Sequence, residues 1–136
     1  MNRTGTNLEQ ELTTRARLER KRTRLGGDAV CAMCGESDLR CLHLVPQGRR
    51  DEAVEPLVLC ANCHRRQQGQ SVVEQHHPAG RSNNPATVAL AANEHAIVSD
   101  AQHDWPRDTL RNPTGSPLLA ASASVRGMGD LLRVLL

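Results

Sequence analysis

Aromatic side chains are almost missing from this sequence. Its 136 residues hold one tryptophan, Trp105, and neither phenylalanine nor tyrosine. Aromatic residues dominate the buried area of an ordinary core. Here hydrophobic residues make up 38% of the chain and many are alanine, so burial alone builds only a thin core. A bound metal is one way for so small a chain to gain the missing stability. No run of ~18 apolar residues is present, which excludes a membrane-spanning helix. The polar stretch 1–10 holds no apolar signal core, so no secretory leader is expected. The length suits one compact domain with tails or two very small modules.

Cysteine, by contrast, is patterned. Four of the five form two pairs, Cys31-x-x-Cys34 and Cys60-x-x-Cys63, with 25 residues between them. Each pair can bend into a tight turn that aims both thiolates at one point. Two such turns make the tetrahedral sulfur cage that structural Zn²⁺ prefers. The competing reading is a pair of disulfides or idle thiols. A cytoplasmic chain keeps its thiols reduced, and in that compartment metal explains paired cysteines better. Cys41 is left over and reads as a small buried hydrophobe.

Thr6 and Glu9 have the spacing of a capping box, which predicts a helix over about 7–25 stopped by Gly26-Gly27. Residues 1–25 carry a net charge of +4 and the remainder −2, so the excess positive charge lies in this arm. Arg17, Arg20, Lys21 and Arg24 are candidate phosphate-binding residues. A solvated helix face accounts for the same charges equally well.

Downstream, strands are predicted over 39–44 and 57–59, followed by a polar helix over 64–70. A second run repeats that order, with a strand over 72–77, a loop over 78–85, a strand over 87–90 and a helix from about Ala91. The six-residue run around the second cysteine pair recurs as well. Leu59-Cys60-Ala61-Asn62-Cys63-His64 matches Leu90-Ala91-Ala92-Asn93-Glu94-His95 at Leu, Ala, Asn and His. This reads as an internal repeat that has lost its cysteines in the second copy. Asn62 and Asn93 are expected as helix caps.

Those residues carry a family resemblance. The Cys-x-x-Cys frame ending in Leu59-Cys60-Ala61-Asn62-Cys63-His64, and the run Glu74-Gln75-His76-His77-Pro78-Ala79-Gly80-Arg81 leading to His95, resemble the HNH endonucleases. The resemblance covers roughly residues 31–105. It implies a ββα-metal fold and hydrolysis of DNA phosphodiester bonds. It also implies residue roles: His77 as general base, His76 and His95 as ligands of one divalent cation (Mg, Mn or Zn), Asn83 or Asn84 orienting the base, and Arg81 holding a phosphate. A neutral imidazole near pH 7 suits proton abstraction from water. In the first copy Leu42-His43 lacks the ligating residue that the family places before the base, so that copy reads as structural. The resemblance further implies a prokaryotic or phage-encoded protein.

Trp105 is expected to anchor the tail on the second module. Ser116-Pro117 marks a helix start, and the residues after it are apolar on more than one side, with Gly127 and Gly129 as weak points. Such a helix either packs on the module or forms a homo-oligomer contact.

The sequence thus predicts an α+β chain of small zinc-stabilised ββα-metal modules flanked by helices. Its segments are a basic helix (1–27), a zinc-knuckle module (28–70), an HNH-like module (71–106), and a linker with a C-terminal helix (107–136). The expected function is metal-dependent DNA cleavage. The alternative is an inactive zinc-binding module of the same fold that binds nucleic acid or a protein partner.

Overall fold

The structure, a computed structural model, describes residues 5–136, with side chains from Leu8 onward. The chain divides into two compact units, Met1–Gly69 and Gln70–Leu136. Both are α+β, and each contains one two-stranded antiparallel sheet.

The first unit opens with helix α1, Gly5–Leu25. The capping role expected of Thr6 falls on a side chain outside the described residues. The helix ends at Gly26, whose positive φ no other residue type adopts cheaply, and Leu25 is its buried anchor. Strand β1, Leu42–Val45, pairs with β2, Leu57–Cys60, in the register Leu42 to Cys60 and Val45 to Leu57. Helix α2, Ala61–Gln67, follows without a break. β1 therefore begins three residues later than its β-prone run suggested. Asp38 is the reason: its carboxylate accepts from Arg40, and its carbonyl accepts the Cys41 N–H, so 38–41 is a turn. The core here is mostly sulfur and leucine: Cys31, Cys41, Leu42, Leu59, Cys60 and Cys63 are all buried.

The second unit repeats the ββα order. Strand β3 is Val73–His76, β4 is Val88–Ala91, and helix α3 is Ala92–His103. Leu42 maps to Val73, Leu57 to Val88 and Ala61 to Ala92, each 31 residues further on, and the two sheets share one register. The asparagines expected as caps do not cap. Cys60 and Ala91 hold the N-cap positions, and Asn62 and Asn93 lie within the first turn.

Two more helices complete this unit, α4 over Arg107–Arg111 and α5 over Pro117–Leu135. Ser116 caps α5, its hydroxyl accepting from the Leu119 N–H. α5 packs on α3 and α4. Leu131 and Val134 join Leu90, Val98 and Val88 in one cluster, and Ala123 joins Ala79, Trp105 and Leu110 in another. The Trp105 indole N–H donates to Asp130 at 2.9 Å, fixing α5 to the end of α3. Gly127 does not interrupt α5. A Cβ there would lie 1.9 Å from the Pro78 carbonyl oxygen, so glycine is what lets the helix lie on the loop. Where the first unit has a thiol cluster, the second has this helix.

Among the described residues no helix is long and apolar enough to cross a membrane.

Candidate functional site

The thiol cluster is built from two local turns. After Cys31, the chain reverses through a turn closed by the Gly35 N–H donating to the Cys31 carbonyl at 2.9 Å, with Gly35 at φ +79°. The Ala32 N–H donates to Val58, tying this turn to β2. The second pair straddles a strand-to-helix junction. Cys60 ends β2, and its sulfur accepts from the Cys63 N–H at 3.5 Å, so one residue both caps α2 and aims its thiol at the cluster. All four sulfurs lie within 4.8 Å of one another, and Cys34 Sγ and Cys60 Sγ are 3.6 Å apart. A tetrahedron with Zn–S bonds of ~2.3 Å has edges of about 3.8 Å, so the donor set and its size fit zinc.

The electrostatics agree with that donor set. Burial opposes charge on Cys31, but hydrogen bonds from the backbone of Cys60, Met33 and Cys34 overcome it and bring the thiol down to about 6. Burial and the neighbouring sulfurs push Cys63 up, as expected when several thiolates crowd together without a cation. Cys41 stands apart. Its thiol donates to the Asp38 carbonyl at 3.3 Å, and burial, with Glu36 and Asp38 nearby, pushes it up to about 12.

The second unit holds an imidazole-lined cavity of about 330 Å³ between β3, the following loop, and α3. His76, His77, Arg81 and His95 all line it, together with Ser99, Gln102 and Arg111. The His76 and His95 rings meet edge to face with centroids 5.3 Å apart. His76 is buried, and that burial, reinforced by His95 and His77, holds its pKa down at about 4 against the opposing pull of Asp130. It is therefore neutral at pH 7, the state in which an imidazole ligates a metal.

Two residues that the sequence reading passed over shape this cavity. Glu74 Oε2 lies 3.1 Å from His95 Nδ1. A carboxylate there can only accept, so in the neutral tautomer that fits this contact Nδ1 carries the proton and Nε2 the lone pair. Gln102 donates to the His77 and Pro78 carbonyls at 2.9 and 3.0 Å and holds the loop against α3. Both were within reach of periodicity. Glu74 and His76 alternate onto one face of a strand, and His95, Ser99 and Gln102 fall on one helix face.

The asparagines act on the loop backbone. The Asn83 amide donates to the carbonyls of Ala79, Thr109 and Leu110, and the Asn84 side chain accepts from the Ala86 N–H. Neither hydrogen-bonds His77, whose Nδ1 is buried without a partner, as is Asn83 Oδ1.

The shared register changes how the two copies correspond. His43 falls at the place of Glu74, and Val45-Pro46 at the place of His76-His77. His43 meets His64 with ring centroids 5.4 Å apart, where the second copy pairs Glu74 with His95. Burial and the nearby His64 lower the pKa of His43.

On α1, Arg20 and Arg24 are exposed, while Lys21 is half-buried and donates to the Arg40 carbonyl at 3.1 Å. Arg17 is also half-buried. Among the described residues, the four cysteines are the only group of three or more His, Cys, Asp or Glu donors close enough to share one ion. No family model matches this chain, and neither does any curated protein or solved structure.

Proposed function

We propose that this chain is an HNH-type nuclease with a ββα-metal fold. In this reading the first unit is held by a structural zinc at Cys31, Cys34, Cys60 and Cys63, and the second cuts DNA. The observation that supports it is the gathering of His76, His77, His95 and Arg81 on one cavity. His76 and His95 would hold the divalent cation. Two imidazoles suit Zn²⁺ or Mn²⁺ better than Mg²⁺, which prefers oxygen ligands. When bound, such a cation supplies Lewis-acid stabilisation of charge on the phosphate. Glu74 fixes the His95 tautomer that leaves Nε2 available. His77 would take the proton from the attacking water as the water oxygen bonds to phosphorus, the scissile phosphorus–oxygen bond breaks, and solvent protonates the leaving oxygen. Arg81, exposed at the cavity mouth, holds a non-bridging phosphate oxygen. Asn83 serves by bracing the loop. Arg17, Arg20, Lys21 and Arg24 of α1 would bind the DNA backbone.

A second reading keeps the fold and the zinc but not the cleavage, leaving a module that binds nucleic acid or a protein partner. It is favoured by one observation: among the described residues, His76 and His95 belong to no group of three or more close His, Cys, Asp or Glu donors. Supercoiled plasmid with Mn²⁺ or Mg²⁺ separates the two. The nuclease nicks it, and His77→Ala lowers the rate at least ~100-fold, the usual contribution of a general base. If neither protein nicks, or both nick equally, the catalytic reading fails.

A further inference from the structure

Helix α5 has two apolar faces, and one of them packs within the second unit. Ala123, Gly127 and Leu131 point inward, four residues apart, and form part of the core. On another side Leu118, Ala121, Val125, Met128, Leu132 and Leu135 are all exposed. Leu118 and Val125 are 80% and 76% accessible. These six positions are spaced three, four, three, four and three residues apart. That is the a/d repeat of a coiled-coil seam. The charged residues of the helix lie off it. Arg126 sits 6.0 Å over the Trp105 ring, and Asp130 accepts from both the Trp105 indole and Arg133. An apolar stripe of this regularity facing water marks an interaction surface.

Gly129 lies on the same stretch of α5 as Gly127. Glycine in a helix interior is destabilising relative to alanine. At Gly127 the Pro78 carbonyl explains it, but a Cβ on Gly129 would meet nothing within 4 Å. Gly129 flanks the exposed seam beside Met128, so no side chain at that position stands in the way of a helix laid along it.

We infer that the exposed face of α5 is a homodimer interface, packed antiparallel against α5 of a second copy of this chain. The seam is complementary to itself in that direction. A two-fold axis between Val125 and Met128 sets Leu118 against Leu135, Ala121 against Leu132 and Val125 against Met128. The smallest seam residue thus meets a large one. A parallel pair would face Ala121 with itself and leave a gap. Antiparallel packing also sets opposite helix-dipole ends together. No charge needs desolvation along the seam. A 19-residue helix is about 28 Å long, so the contact falls short of the ~800 Å² per partner of a standard interface. The dimer is accordingly expected to be reversible.

Sedimentation equilibrium of the zinc-loaded full chain tests this. The expected result is a mass rising toward twice that of one chain as concentration increases. Val125→Glu and Leu132→Glu should each weaken the dimer more than ~10-fold while Trp105 fluorescence and helical circular dichroism stay native. Cysteines introduced in place of Leu118 and Leu135 should cross-link when the two variants are mixed, and Leu118→Cys alone should not. A chain that stays monomeric on the order of 100 µM overturns the proposal. So does a dimer indifferent to both glutamates, or a monomer that Val125→Glu destabilises because another segment of the chain covers the seam. Self-cross-linking of Leu118→Cys overturns the antiparallel arrangement.

Discussion

Cys60 shows how much one residue can carry. It closes the pairing of β2 with β1, caps α2 through its sulfur and supplies one corner of the thiol cage. Cys60→Ser should abolish zinc binding, measured as about one zinc per chain in the parent and none in the variant, and unfold the first unit. Cys41→Ser should keep the zinc, because its thiol is bonded to the Asp38 carbonyl and held far from ionisation. His76 makes a different prediction. Its pKa is about 4 in the fold against an ordinary value of 6.5, with burial the largest cause. As pH falls below 6.5 the unfolded chain takes up the proton first, so stability is full above that value and is lost down to about pH 4. The loss approaches about 3 kcal/mol at the lower limit. Urea unfolding of metal-free protein, followed by Trp105 fluorescence, should show a lower midpoint at pH 4.5 than at pH 7. These residues were legible to different degrees. The Cys-x-x-Cys spacing encodes a turn within four residues, so the cage could be read directly. Periodicity places Glu74 on the strand face of His76, but its pairing with His95, 21 positions away, came only with the fold.

At the scale of the element, strands and helices followed their local patterns with shifted ends. Asp38 and Arg40 turned the start of a β-prone run into a turn, and α3 ran on to His103 because Val98 and the helix behind it found a core. α5 is the informative case. Its capping residue Ser116 and Pro117 were readable, but Gly127 looked like a flaw. The reason for it lies 49 residues earlier, at Pro78. Gly127→Ala should force the helix off the loop and destabilise the second unit by about 1–3 kcal/mol or more, read as a lower Trp105 unfolding midpoint. Gly129→Ala, with open space around it, should leave the monomer at least as stable.

For the whole molecule, one ββα plan is used twice with different supports. The first unit depends on four thiols, and the second on α5 and Trp105. Chelation should therefore separate them. Stripping zinc with excess chelator should expose the amides of residues 8–69 to hydrogen exchange. The sole tryptophan, which reports only the second unit, should stay buried. Loss of the Trp105 signal together with zinc would show that the second unit borrows its stability from the first.

By itself the sequence determined the thiol cage, the repeated strand–strand–helix order and the start of α5. All of these arise from patterns a few residues long. Tertiary structure decided what those patterns leave open: that His76, His77, Arg81 and His95 share a cavity, that Glu74 sets the His95 tautomer, and which face of α5 is buried. Such facts depend on pairing register and on packing between distant segments. A change of one residue in register would turn every side chain of a strand to the other face.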